Sequence, residues 1–470
     1  LGGLTLFVVL LVVPAPDSVP EAGWAVAALA ALMAIWWMTE AVPLAVTALL
    51  PVVLLPMLGV APVAHTTIAY ANPLVFLICG GFMIAKALER WSLHQRVAAL
   101  VLRFAPRNPS GVIGAVMAST AFLSMWLSNT ATAAVMMPIG ISVIAAVEKG
   151  NAESDATQRF GAALVLGIAY AATIGGMSTL IGTPPNALLA GYLEGAHGLS
   201  VGFAQWMLLG VPVMIVLLPI AWLVLTRVAF KFDALKIEGI GSFGETVTQP
   251  HPPLPVGGWL TAAIVGLTGL GLVLRPVLQN VVPGFALNDA GIMMGAALVL
   301  FILPAWDGRG SRLLHWQDVA DIRWDVLILF GGGLALAGAI ETSGLSQSIG
   351  TVMSALNSLP LLVIVLAGMV LVVLAGEFAS NTAMAAVLLP VAAAVATGLG
   401  VPVTSIVIPI GLAASLGFML PVATPPNAMA YGAGKVTTPQ MLRAGVVLDL
   451  AGVLIVYVLA ISLGPIVIGA

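Results

Sequence analysis

The sequence predicts an all-α polytopic membrane protein built as an inverted-topology repeat, with about 11 transmembrane helices plus two re-entrant hairpins. Three observations carry that expectation: an apolar composition, an eleven-residue word written twice, and a one-sided distribution of basic residues. Of 470 residues, 60% are hydrophobic and 7% charged, far from the roughly 25% charged residues of a soluble domain. The apolar runs are of helix-spanning length, unlike the short alternating strands of an outer-membrane barrel. The 51 glycines and 31 prolines fit helices in lipid, which tolerate both at kinks and close contacts. One cysteine, Cys79, excludes an internal disulfide.

Taken in order, apolar runs fall at 3–13, 24–39, 44–58, 74–88, 111–147, 160–190, 203–230, 257–281, 286–304, 324–340, 360–402, 403–432 and 443–468. Residues 4–13 lack a basic flank and read as the end of a first span rather than a signal peptide. The longest polar connections are 233–255 and 306–325, and the first is taken as the linker between two halves.

The doubled word is Ser128-Asn129-Thr130-Ala131-Thr132-Ala133-Ala134-Val135-Met136-Met137-Pro138 and Ser380-Asn381-Thr382-Ala383-Met384-Ala385-Ala386-Val387-Leu388-Leu389-Pro390, identical at eight of eleven positions. Gly80-Gly81 and Glu89 recur as Gly332-Gly333 and Glu341 at the same offset of 252. A second word, Thr183-Pro184-Pro185-Asn186-Ala187, returns as Thr424-Pro425-Pro426-Asn427-Ala428 at an offset of 241. The difference lies at 148–159, a charged segment that the second half lacks. Repeats of this kind place a site between two halves.

Basic residues supply the orientation. Lys86, Arg90, Arg96, Arg103 and Arg107 have no basic counterpart at 338–359, and Lys149 and Arg159 have none up to Thr404. After the second word the asymmetry reverses: 191–210 carries no Lys or Arg, whereas its equivalent carries Lys435 and Arg443. Basic short loops stay in the cytoplasm, so equivalent loops lie on opposite sides. With Arg227, Lys231, Lys236, Arg309, Arg312 and Arg323 also inside, only Arg275 is left outside. The run 111–147 is long for one span and short for two, and both flanks are basic. A re-entrant hairpin with Ser128-Asn129-Thr130 at its tip satisfies both constraints, and by symmetry Ser380-Asn381-Thr382 tips a second hairpin from the other face. The amino terminus is then cytoplasmic and the carboxy terminus extracytoplasmic.

Chemistry follows from what lipid does not tolerate. A buried, unpartnered asparagine amide costs roughly 2–7 kcal/mol, so Asn129 and Asn381 need a partner in the protein or in a ligand. Consecutive prolines cannot continue a helix, and a break at membrane depth persists only where it is buried in protein or lines a cavity. Free N–H groups at such breaks attract anions and free carbonyls coordinate Na⁺. No Lys or Arg lies in these words, so a bound anion would be matched by dipoles, hydroxyls, amides and co-bound cations.

The two doubled words resemble those of the divalent anion:sodium symporter (DASS) family, bacterial and animal carriers of succinate-type dicarboxylates, over nearly the whole chain. The resemblance implies a homodimer in the bacterial inner membrane and an elevator mechanism, in which a transport domain moves against a scaffold. It divides the chain into scaffold 1–107, transport 108–235 with the first hairpin and broken helix, linker 236–256, scaffold 257–359 and transport 360–470. It implies carboxylate binding by Ser128, Asn129, Thr130, Ser380, Asn381, Thr382, Thr424 and Pro425. It implies one Na⁺ site at Ser124, Ser128, Asn129 and Gly182, and another at Ala379, Asn381 and Ala423. One position departs from the pattern: Ser124 corresponds to Gly376, where sodium-coupled relatives offer a hydroxyl. The neighbouring Glu377, which matches Met125, reads either as a proton-sensitive coupling residue or as a carboxylate hydrogen-bonded in the packing.

The leading expectation is Na⁺-coupled symport of C4-dicarboxylates (succinate, malate or fumarate). A Na⁺-independent dicarboxylate exchanger and an anion channel are the competing readings, and sulfate also suits hydroxyl and amide ligands. The five histidines, at 65, 94, 197, 251 and 315, lack metal-ligand spacing. There is no His-Glu-x-x-His and no phosphate-binding Gly-rich Lys-Ser/Thr loop, and no nucleophile–base pair. Neither an enzyme, nor a cofactor other than Na⁺ as coupling ion, nor a nucleic-acid partner is expected. Glu40 after Trp36-Trp37 reads as an interfacial end.

Overall fold

The computed structural model describes residues 2–102, 108–150, 155–231, 253–282, 286–308 and 310–468. Arg103, Arg107, Lys236, Arg309 and most of the expected linker lie outside the described residues, as does the Lys149 side chain. The regular elements among the described residues are all helices, apart from one isolated β-bridge between Pro304 and Arg312. Among the described residues, nine helical stretches are long and apolar enough to cross a membrane, including Val63–Arg90, Asp155–Gly176, Trp324–Thr342 and Thr438–Ile468. Shorter apolar helices include Gly2–Val12, Leu44–Met57, Pro109–Ser124, Asp289–Ile302, Leu361–Gly376 and Thr404–Ala413.

The count of about 11 continuous spans therefore comes out as nine long stretches and a set of short ones, for local reasons. The run 44–58 is interrupted between Thr47 and Leu50, with Pro43 before its first helix and Pro51 at the start of its second. Prolines are accepted at a helix start but remove a donor further in. Asp289–Ile302 stops just before Pro304, and Thr404–Ala413 unwinds well before Thr424. Each long apolar word at 111–147 and 360–402 is two helices. Pro109–Ser124 is followed after four residues by Asn129–Gly150, and Leu361–Gly376 by Asn381–Leu399. Both arms of the pair start at the same offset of 252.

The double glycines explain how the halves close. A Cβ at Gly80 would stand 2.9 Å from the Met293 side chain, and one at Gly332 would run into the Ala48 backbone. Each long helix is thus approached at its glycine by a short helix, Asp289–Ile302 on one and Leu44–Thr47 on the other. Their neighbours Gly81 and Gly333 face inward instead, toward Ile181 and toward Ala386 and Leu188. Small residues at crossing points let helix backbones approach where no hydrophobic drive separates helix from lipid.

Arg275, the one basic residue expected outside, has a specific partner. Its Nε lies 2.6 Å from Asp289 Oδ1, and Asp289 Oδ2 accepts the Phe203 N–H at 2.7 Å. The charge is compensated inside the fold and joins three elements.

Gly332→Ala is expected to lower the thermal unfolding midpoint by an amount equivalent to about 1–3 kcal/mol of overpacking. Gly338→Ala in the same helix, where a Cβ meets nothing within 4 Å, should leave it unchanged. Equal midpoints for the two variants would contradict this packing.

Candidate substrate and cation site

The first tip is closed by its own hydrogen bonds. Ser124, the last residue of its helix, donates its single hydroxyl proton to the Ala172 carbonyl at 2.7 Å. The Asn129 amide must then donate to Ser124 Oγ. In that orientation its nitrogen lies 2.9 Å from Ser124 Oγ, 2.9 Å from the Ala172 carbonyl and 3.2 Å from the Gly182 carbonyl. Ser128 caps the helix that begins at Asn129, its Oγ accepting the Ala131 N–H at 3.2 Å. A Cβ at Gly182 would come within 2.5 Å of the Gly176 carbonyl and 2.8 Å of the Ser124 carbonyl, so only glycine fits. Ser124, Ser128, Asn129 and Gly182, expected together, are brought together.

Opposite this tip the chain breaks between Asp155–Gly176 and Pro184–His197. The carbonyls freed by the break are taken up mainly by one side chain, with the Trp206 indole N–H also donating to the Met177 carbonyl at 3.1 Å. Asn186 Nδ2 donates to Gly176, Met177 and Thr179 carbonyls at 3.1, 3.1 and 2.8 Å. Thr179 in turn pins the turn to the tip, its hydroxyl donating to the Met125 carbonyl at 2.6 Å and accepting the Gly182 N–H at 3.1 Å.

The second half repeats the plan with different atoms. Asn427 Nδ2 donates to the Gly417 and Leu420 carbonyls, both at 3.0 Å, the positions equivalent to Gly176 and Thr179. Leu420 has no hydroxyl with which to pin the turn. Glu377, replacing Met125, does it instead: its two carboxylate oxygens accept the Met419 and Leu420 N–H groups at 2.9 and 2.7 Å. Glu377 is 1% exposed, and its carboxylate is engaged in holding this turn. Asp449 accepts the Phe418 N–H at 3.2 Å, and Tyr170 from the first half donates to the Phe418 carbonyl at 2.8 Å.

The two tips differ in what remains unsatisfied. Gly376 stands where Ser124 does, and Asn381 Oδ1 is buried without a hydrogen-bond partner among the described residues. A Cβ at Gly376 would lie 3.2 Å from that oxygen. Ser380 makes no side-chain cap bond, unlike Ser128. Asn381 is also close to Gly417 and Ala423: a Cβ at Gly417 would lie 3.5 Å from Ala423 Cβ and 3.7 Å from Asn381 Nδ2. Gly376, Asn381 and Ala423 are therefore neighbours, while no hydrogen bond ties Ala379 to them.

Substrate-facing groups are distributed as follows. Ser128, Asn129, Thr130, Ser380, Asn381 and Thr382 are all partly exposed, so both words reach a surface. Thr424 is buried and accepts the Asn427 N–H at 3.2 Å, whereas Pro425 is exposed. Neither bonds directly to a tip word. Contact is made crosswise: Asn129–Gly150 packs against Pro425–Gly432, and Asn381–Leu399 against Pro184–His197. The expectation that the Pro-Pro helix starts supply free N–H groups needs correction. Prolines occupy their first two positions, so those donors do not exist there. The helices that begin at Asn129 and Asn381 have no such prolines, and their positive dipole ends are the ones available to an anion.

Sequence reasoning passed over Asn186 and Asn427 as clamps, and Thr179, Tyr170 and Asp449 as turn holders. The duplication of the Asn in both Pro-Pro words was the signal for the first two. Asn186→Ala and Asn427→Ala should each destabilise the fold by about 2–4 kcal/mol, since several buried carbonyls lose their partner. Unfolding midpoints of the purified variants test this, and midpoints like that of the parent chain would contradict the clamp.

Comparison with known proteins agrees with this architecture. The chain is 36% identical over 479 residues to the sodium-dependent dicarboxylate transporter SdcS of Staphylococcus saprophyticus, covering 99% of this chain and 91% of that protein. It is 36% identical over 472 residues to the protein of the same name from Staphylococcus aureus, with the same coverage. The crystal structure of the Alcanivorax borkumensis YdaH transporter shares the fold, with a TM-score of 0.55 at 13% identity over 85% of this chain and 87% of that one. The family model for the sodium:sulfate symporter transmembrane region matches residues 3–469, and the chain, a multi-pass membrane protein and a transporter rather than an enzyme, belongs to that family.

Proposed function

We propose that this protein is a secondary-active carrier of C4-dicarboxylates such as succinate, coupled to Na⁺. The observation that carries the reading is the pair of partly exposed Ser-Asn-Thr helix starts, each seated by the other half and neither containing a Lys or Arg. The printed names of the relatives, sodium-dependent dicarboxylate transporters, point the same way.

In this reading the hydroxyls and amides of Ser128, Asn129, Thr130, Ser380, Asn381 and Thr382, with Thr424 and Pro425 beside them, take the two carboxylates. Na⁺ is co-substrate. At the first tip, rotating the Asn129 amide would turn its oxygen toward Ser124 Oγ and the Ala172 and Gly182 carbonyls, an all-oxygen nest that only a cation stabilises. At the second, the orphaned Asn381 Oδ1 is the oxygen that fits a cation. Carrying a dianion through lipid without its cations is costly, and this cost is the physical basis of coupling.

The elevator division belongs to the same proposal: scaffold 1–107 and 257–359, transport 108–235 and 360–470. So do the inverted topology with re-entrant hairpins, the homodimer, and a cytoplasmic amino terminus with an extracytoplasmic carboxy terminus. Na⁺-independent exchange is the second reading, favoured by the hydroxyl missing at Gly376. Glu377 remains a candidate for coupling through the turn that it holds.

Labelled succinate uptake into proteoliposomes separates these readings. Uptake into empty vesicles driven by an inward Na⁺ gradient is expected, with Asn129→Ala and Asn381→Ala each abolishing it while the protein stays folded. Uptake only into succinate-preloaded vesicles, indifferent to Na⁺, would establish exchange instead. In that case Gly376→Ser should restore Na⁺ dependence.

A further inference from the structure

Away from the tips, a cavity of about 340 Å³ opens between Arg159, Phe230, Lys231, Gln440 and Arg443. Its cations come from three separate elements. Arg159 lies in the second turn of the Asp155–Gly176 helix, Lys231 follows the π-helical segment Val224–Ala229, and Arg443 lies in the second turn of Thr438–Ile468. Among the described residues, no acidic side chain lines it. Arg159 bonds to Asp155 at 3.0 Å on the exposed rim and to the Lys231 carbonyl at 3.4 Å. The Lys231 ammonium and the Arg443 guanidinium have no partner among the described residues. Three cations gathered around one hollow set up a positive potential that attracts an anion.

A second observation says what kind of anion. From Arg443 the long helix presents Leu442, Val446, Leu450, Leu454 and Val458, spaced four apart and all exposed. Residues four apart are neighbours on the helix surface and advance about 40° per step, so Leu442, Val446 and Leu450 form an apolar stripe that begins at the mouth of the basic cavity and winds onward around the helix. A free phosphate or carboxylate has no use for such a stripe; acyl chains do. We propose that this cavity binds the phosphate headgroup of an anionic phospholipid, whose chains lie along the stripe. Basic hollows between membrane helices are suited to this chemistry. All three cations sit in segments assigned above to the transport part, so a bound lipid would travel with that part or restrain it.

The test uses the full-length purified chain in neutral detergent, with phosphatidylglycerol or phosphatidylcholine added. Retained lipid is read by native mass spectrometry and unfolding by a thermal scan. Phosphatidylglycerol should be retained and raise the midpoint, with phosphatidylcholine doing neither. Lys231→Gln/Arg443→Gln should weaken phosphatidylglycerol binding about 25-fold, roughly fivefold per cation, and Arg443→Lys should keep it. Arg323→Gln, whose side chain is engaged by Asp325 elsewhere, serves as the control and should bind as the parent does. Lipid-free midpoints of the variants show that they are folded. Equal retention of the two lipids, or unchanged binding by the double variant, would overturn the proposal. A midpoint rise reproduced by inorganic phosphate alone, with phosphate displacing the lipid, would overturn it in favour of a soluble anion.

Discussion

Everything at this site depends on one constraint: a helix broken inside an apolar slab frees backbone groups that only the protein can satisfy. Each unsatisfied carbonyl or N–H costs about 1–3 kcal/mol, and both halves carry such a break. The solution is the same on both sides. An asparagine just past two prolines turns its amide back across the gap and takes up the carbonyls, Asn186 at Gly176, Met177 and Thr179, Asn427 at Gly417 and Leu420. The prolines are compatible with this because they sit where a helix has no use for its first N–H groups.

With the carbonyls of the breaks taken up, the halves diverge at the tips. The first tip uses Ser124, Asn129 and Ser128 on one another and on the broken helix. The second leaves Asn381 Oδ1 unpartnered and Ser380 without a cap bond. The loss of a hydroxyl at Gly376 and the gain of Glu377 belong together in space but act on different atoms. Glu377 replaces the Thr179–Met125 link that pins the turn, whereas nothing among the described residues replaces the Ser124 hydroxyl. A site whose second tip holds an unpartnered amide oxygen and a serine without a cap bond, with no Lys or Arg in either word, is arranged to bind charge in combination rather than singly.

Much of this was legible in the sequence. The offset shared by Gly80, Glu89 and Asn129 with Gly332, Glu341 and Asn381 anticipated equivalent helices, and the Ser-Asn-Thr words do fall at the junction of two arms. The grouping of Ser124, Asn129 and Gly182 was expected from the family resemblance, not from spacing. The span count was not legible, since a hydropathy run does not show where a proline or a short helix interrupts it, as at 44–58. Glu377 was readable as a carboxylate hydrogen-bonded in the packing, but its partners, and the roles of Tyr170 and Asp449, were hidden because each depends on a contact with residues tens to hundreds of positions away. The Arg275–Asp289 pair was invisible for the same reason.

The most direct measurement is succinate affinity of the purified protein, by calorimetric titration, as Na⁺ replaces choline at constant ionic strength. With no Lys or Arg in the words that form the site, affinity should rise steeply with Na⁺ and be lost in choline alone. Succinate binding of full strength in choline would show that a fixed charge, not a bound cation, balances the anion, and would contradict the account.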